Sequence, residues 1–109
     1  MATTYKVLGQ SSPSATTATT LYTVPASTQT IVSTVTVANR AATAGTYRIA
    51  VRVNGAALAN SQYIAYDVSL PANASDTLTL GLTLGAADII TVQASTADFS
   101  FSAFGSEIA

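Results

Sequence analysis

Between positions 76 and 84 the chain reads Asp-Thr-Leu-Thr-Leu-Gly-Leu-Thr-Leu, with Leu78, Leu80, Leu82 and Leu84 on one parity and Thr77, Thr79, Gly81 and Thr83 on the other. Such alternation marks a strand with one face against a core and the other toward water. A helix over the same residues would place Gly81 and Gly85 in its apolar stripe beside Leu78 and Leu82. Period 2 therefore prevails over the helix preference of leucine, and Gly81 marks an expected bend or bulge. The same period runs through 45–53, with Tyr47, Ile49, Val51 and Val53 inward and Arg48, Ala50 and Arg52 outward. Asn54-Gly55 follows, a pair that tolerates positive φ and favours a tight hairpin.

β-Branched and aromatic residues predict further strands at 5–8, 20–24, 30–38, 62–70, 89–94 and 99–104, making eight in all. Loop signals separate them: 9–19 with Pro13, 25–27, 39–45, 54–61, 71–75 and 85–88. Short strands at this spacing, with no helical stretch between them, predict an all-β fold, an antiparallel β-sandwich or jelly-roll-like domain. Its expected core includes Val35, Tyr47, Ile49, Val51, Leu78, Leu80 and Leu82. Phe99, Phe101, Phe104, Tyr5 and Tyr22 are expected in the core or at a subunit interface. One domain spanning 1–109 fits the length, since a chain this size buries roughly two-thirds of its unfolded surface. Within it, residues 9–20 are rich in Ser, Thr and Ala and read as a flexible loop or arm.

Composition narrows the chemistry. The 109 residues contain no Cys, His or Trp, while 21 Ala, 18 Thr and 12 Ser dominate. Thiolate or imidazole metal sites, Cys or Ser–His nucleophiles and imidazole acid–base catalysis are thereby excluded. Four basic residues (Lys6, Arg40, Arg48, Arg52) stand against five acidic ones (Asp67, Asp76, Asp88, Asp98, Glu107), a net charge of -1. Four cations make no phosphate-tracking stripe, so nucleic acid is not the expected partner. There is no apolar run long enough to span a bilayer, and the polar opening Ala2-Thr3-Thr4-Tyr5-Lys6 does not resemble a secretory signal, so no membrane is expected either. Near-neutral charge also leaves little repulsion between copies, which favours self-association.

Three groups of residues stand out as candidates. Asp76, Asp88 and Asp98 sit at the mouths of strands, where Asp commonly serves turns, and their spacing matches no known cation cage. No metal or other cofactor is expected. Arg48 and Arg52 share an outward face about 13 Å apart, with Asp67 on the next strand as a natural partner; they are either a solvated face or contacts to a neighbouring subunit. Tyr63 and Tyr66 have opposite parity, so in a regular strand one of them faces outward. Tyr63, with Pro13 in the arm, completes the set of candidate subunit or scaffold contacts.

The segment Leu21-Tyr22-Thr23-Val24-Pro25-Ala26, the strand Ile31-Val32-Ser33-Thr34-Val35-Thr36-Val37-Ala38 ending in Asn39-Arg40, and Tyr47-Arg48-Ile49 together resemble small virion structural proteins of tailed bacteriophages. The likeness continues through Tyr63-Ile64-Ala65-Tyr66-Asp67 and Ala103-Phe104-Gly105-Ser106-Glu107. It implies a non-enzymatic virion component made in the host cytoplasm. Capsid decoration, or cement, on the major capsid protein lattice comes first, and a tail, baseplate or fibre-associated part second. It also implies a homo-oligomer, with a trimer as the expected symmetry. A carbohydrate-binding module is the alternative from another class, and it would need an exposed aromatic platform.

Overall fold

Each alternating stretch becomes strand in the computed structural model, which describes residues 2–109 and so leaves only Met1 of the expected 1–109 domain outside it. The strands are β1 (Thr3–Ser11), β2 (Thr19–Thr23), β3 (Gln29–Asn39), β4 (Gly45–Arg52), β5 (Tyr63–Leu70), β6 (Ser75–Leu78), β7 (Leu82–Leu84), β8 (Ile89–Ala94) and β9 (Phe99–Ile108). One sheet has the order β1-β9-β3-β6, with β7 also paired to β3; the other runs β2-β8-β4-β5. Every pairing is antiparallel.

β6 lies opposite residues 35–38 of β3 and β7 opposite residues 30–32, so the two sit end to end on one edge. Taken as one interrupted strand they complete the eight strands of a jelly roll, four in each sheet. The single strand expected over 76–84 is therefore two. The break is local and has a visible cause: Gly81 takes φ +64, which turns the chain between Leu78 and Leu82. Leu80, expected in the core, is instead 45% exposed, while Leu84 is buried.

Between the sheets, Val35, Tyr47 and Ile49 are fully buried as their parity requires, and Val51, Leu78 and Leu82 pack against them half-buried. Phe99 and Phe101 lie 6.3 and 6.2 Å from the Tyr47 ring, making an aromatic centre. Tyr5, by contrast, is 83% exposed on the outer side of β1. Two tyrosine hydroxyls carry polarity into this interior. Tyr47 donates to Asp76 Oδ2 at 2.8 Å, and Tyr22 donates to Glu107 Oε2 at 2.5 Å while lying 2.8 Å from Thr30 Oγ1. Burial first, and Glu107 second, push the Tyr22 phenol up to about 12. Glu107 in turn is held below the usual carboxylate range by the Tyr22 hydroxyl and by the Lys6 ammonium 3.0 Å away.

The expected arm over 9–20 is shorter than its composition suggests. Gly9, Gln10 and Ser11 belong to β1 and Thr19 and Thr20 to β2. Small polar side chains do not hinder a backbone ladder, and at Gly9 any Cβ would strike the Leu21 carbonyl oxygen. The intervening residues are tied down: Thr16 N–H donates to the Ala94 carbonyl at 2.7 Å and Ser12 Oγ to the Phe99 carbonyl at 3.0 Å. Pro13 is buried. It packs inside this loop and presents no contact surface.

Asn54 and Gly55 take φ of 55° and 69°, as their types allow. They form part of a 3-10 turn, Val53–Gly55, followed by a loop and a second turn, Asn60–Gln62, before β5 begins. The connection is thus longer than a two-residue hairpin.

Candidate functional site

Strand β5 is an edge strand, and its pairing with β4 is irregular twice. Tyr47 lies opposite Val68 and Ile49 opposite Ala65, so one residue of β4, Arg48, faces two of β5, Tyr66 and Asp67. Asp67 takes φ +50 there. Ala50 then lies opposite Tyr63, leaving Ile64 as a second extra residue. Bulges of this kind re-aim side chains. The unpaired Ile64 places Tyr63 and Tyr66 on the same outward side despite their opposite parity in sequence, and the other irregularity sets Asp67 with Tyr66 against Arg48.

The result is a compact cluster on the outer face of the four-stranded sheet. The Tyr63 and Tyr66 rings meet edge to face, with centroids 4.9 Å apart and an interplanar angle of 79°. The Arg48 guanidinium carbon lies 4.1 Å from the Tyr66 centroid and 5.9 Å from that of Tyr63, within the range of cation–π attraction. Arg48 Nε donates to Asp67 Oδ1 at 2.6 Å and Nη2 to Oδ2 at 3.2 Å, a two-pronged pair. The Asp67 carboxylate raises the guanidinium pKa further, and Arg48 holds the carboxyl below its ordinary range. Both groups stay ionised at neutral pH, and their charges cancel.

Two shallow depressions lie at this cluster, one at the tyrosines and one at the ion pair. One, of about 480 Å³, is lined by Asn60, Tyr63 and Tyr66. The other, of about 220 Å³, lies among Thr16, Thr46, Arg48, Asp67, Gln93 and Ser95.

Of the candidate contacts, the structure brings Arg48 and Tyr63 together and adds Tyr66 and Asp67 to them. Arg52 lies apart: its Nε donates to the Ala56 carbonyl at 2.7 Å and its Nη2 to that of Gly55 at 3.2 Å, so it braces its own loop. Asp88 serves a turn, accepting from Asn54 N–H at 2.8 Å and Gly85 N–H at 2.9 Å. Among the described residues, no group of three or more His, Cys, Asp or Glu could hold a metal ion, and no helix is long and apolar enough to cross a membrane. The importance of Tyr66 had no signal in sequence parity, because parity assumes a strand without bulges.

Compared with known proteins, the chain matches no family model, no curated protein and no solved structure.

Proposed function

We propose that this chain is a non-enzymatic structural part of a bacteriophage virion, a capsid decoration protein seated as a homotrimer on the major capsid lattice. A place on the tail, baseplate or fibre is the second position for the same kind of part. The observation that carries the proposal is the outer face of the five-stranded sheet. Tyr5 and Ile31 both lie opposite Ser106, and Val7 lies opposite Phe104, so four apolar side chains share one strip across β1, β9 and β3. Tyr5, Val7 and Ile31 are 83%, 51% and 41% exposed. The strip itself contains no charged side chain, and the whole chain carries a net charge of only -1. Contiguous exposed apolar surface of this sort suits contact with another protein.

Other observations support the same role. Asp67, Asp76, Asp88 and Glu107, four of the five carboxylates, hold structural partners. Jelly rolls are used in viral capsid domains, a support by fold analogy alone. The choice of a phage assembly follows from the resemblance read from residues 21–26, 31–40 and 47–49.

The test is to purify particles of the encoding phage and locate the chain by mass spectrometry and electron microscopy. Tyr5→Lys combined with Ile31→Lys is expected to leave the circular dichroism spectrum unchanged and to lower occupancy tenfold or more. Covering one large apolar side chain is worth about 1.5–3 kcal/mol, and about 1.4 kcal/mol is tenfold in binding. Absence from the particles would overturn the proposal. Unchanged occupancy of the double variant would remove the outer face as the contact.

A further inference from the structure

The Tyr63–Tyr66 cluster lies on the other sheet from the apolar strip, and its chemistry differs. We infer that Tyr63, Tyr66, Arg48, Asp67 and Asn60 form a binding site for a neutral carbohydrate chain, with a sugar ring resting on the tyrosines and its hydroxyls bonded to the Arg48–Asp67 pair.

Three observations lead there. First, Tyr66 is 55% exposed although it is a large aromatic residue, and an irregularity in the edge strand, the unpaired Ile64, is needed to bring it to the same face as Tyr63. An aromatic ring has a negative face, which attracts the polarised C–H groups of a sugar as it does other positive edges. Second, Arg48 and Asp67 neutralise one another, so the site has no unmatched charge with which to select an anion or a cation. The pair still offers N–H donors beside carboxylate acceptors, and Arg48 and Asp67 side chains are 27% and 48% exposed. A sugar hydroxyl both donates and accepts, so adjacent hydroxyls can bond to both partners at once. Third, the depression at the tyrosines is lined also by Asn60, and the one at the ion pair by Thr16, Thr46, Gln93 and Ser95. Those side chains are uncharged hydrogen-bonding groups, and two hollows within one cluster suit a chain of sugars better than an isolated ring.

A protein partner fits less well. Its binding would need an apolar centre, and here the two tyrosine rings lie beside an ion pair and uncharged polar side chains. Nothing in this site depends on the chain being part of a virion, because a free glycan-binding protein would use the same surface.

The experiment applies the purified full chain to a microarray of bacterial surface glycans, some neutral and others bearing uronate or phosphate. Neutral glycans should bind, and titration of the best of them should give an affinity about tenfold weaker for Tyr66→Ala and weaker again for Tyr66→Ala with Arg48→Ala. Tyr66→Phe, which keeps the ring, should bind nearly as well as the original. Circular dichroism checks that each variant is folded, and Tyr5→Lys with Ile31→Lys, on the opposite sheet, should bind glycan undiminished. The inference is overturned if no neutral glycan binds, if only the acidic glycans bind, or if Tyr66→Ala binds as well as the original. Loss of particle occupancy with intact glycan binding, or the reverse, separates this site from the proposed capsid contact.

Discussion

Leu80 and Leu84 have the same side chain, the same parity and neighbouring places in an alternating run, yet the fold treats them differently. Leu84 is 4% exposed on β7 and packs in the core, whereas Leu80 is 45% exposed in the turn before it. Replacing each by Asp separates position from composition. At Leu84 the change forfeits about 1.5–3 kcal/mol of apolar burial, and an unpaired carboxylate placed there costs several kcal/mol more. The sum, about 5 kcal/mol or more, reaches the lower end of a domain's total stability. At Leu80 roughly half the side chain is already in water and the carboxylate can remain solvated, so the cost is about 1 kcal/mol or less. Urea unfolding followed by far-ultraviolet circular dichroism measures both. With a slope of about 1–3 kcal/mol per molar, Leu80→Asp should lower the midpoint by about 1 M at most, while Leu84→Asp should be largely unfolded without urea. Equal losses at the two positions, or unfolding by Leu80→Asp alone, would refute the interrupted strand.

Tyr22 and Tyr47 should ionise only above the usual phenol range in an alkaline titration followed by near-ultraviolet absorbance, because burial raises both phenols, Tyr22 to about 12. Their folded pKa values exceed the unfolded value of about 10, so the stability they contribute is intact below about pH 10 and is lost as pH rises through their folded values; a titration above the usual phenol range that Tyr22→Phe and Tyr47→Phe leave unchanged would contradict this. Gly105→Ala should lower the melting temperature more than Gly81→Ala, as read by thermal circular dichroism. A Cβ at Gly105 would strike the Ile31 carbonyl oxygen, whereas Gly81 has open space and only its positive φ to penalise, about 1–2 kcal/mol.

The sandwich was legible because its alternation is regular where burial is greatest. Tyr47 and Ile49 on β4 and Val35 on β3 are inward as their parity requires, since a strand with one buried face has little freedom to slip. Strand ends were less legible. β9 continues to Ile108, four residues beyond the expected end, because Gly105, Ser106 and Glu107 pair with β3 through backbone groups that impose no hydrophobic pattern. The same indifference of a backbone ladder to its side chains hid Gly9, Gln10 and Ser11 inside a segment composed like a loop.

The tyrosine–arginine cluster was hidden for a deeper reason. Parity counts residues, but the faces of a sheet are set by pairing, and each unpaired residue reverses every assignment beyond it. Ile64 is one such residue, and it is enough to put Tyr63 and Tyr66 on one side. Arg48 and Asp67 were visible as a plausible cross-strand pair because one unit of opposite charge on adjacent strands suggests it. The addition of two tyrosines packed edge to face changes what that pair can do. An isolated surface ion pair contributes little to stability, so holding Arg48 4.1 Å from the Tyr66 centroid and bonded to Asp67 is poorly explained by folding alone. At a free sheet edge, with both charges satisfied and both rings near solvent, the same arrangement has the composition needed to recognise an uncharged ligand rich in hydroxyls.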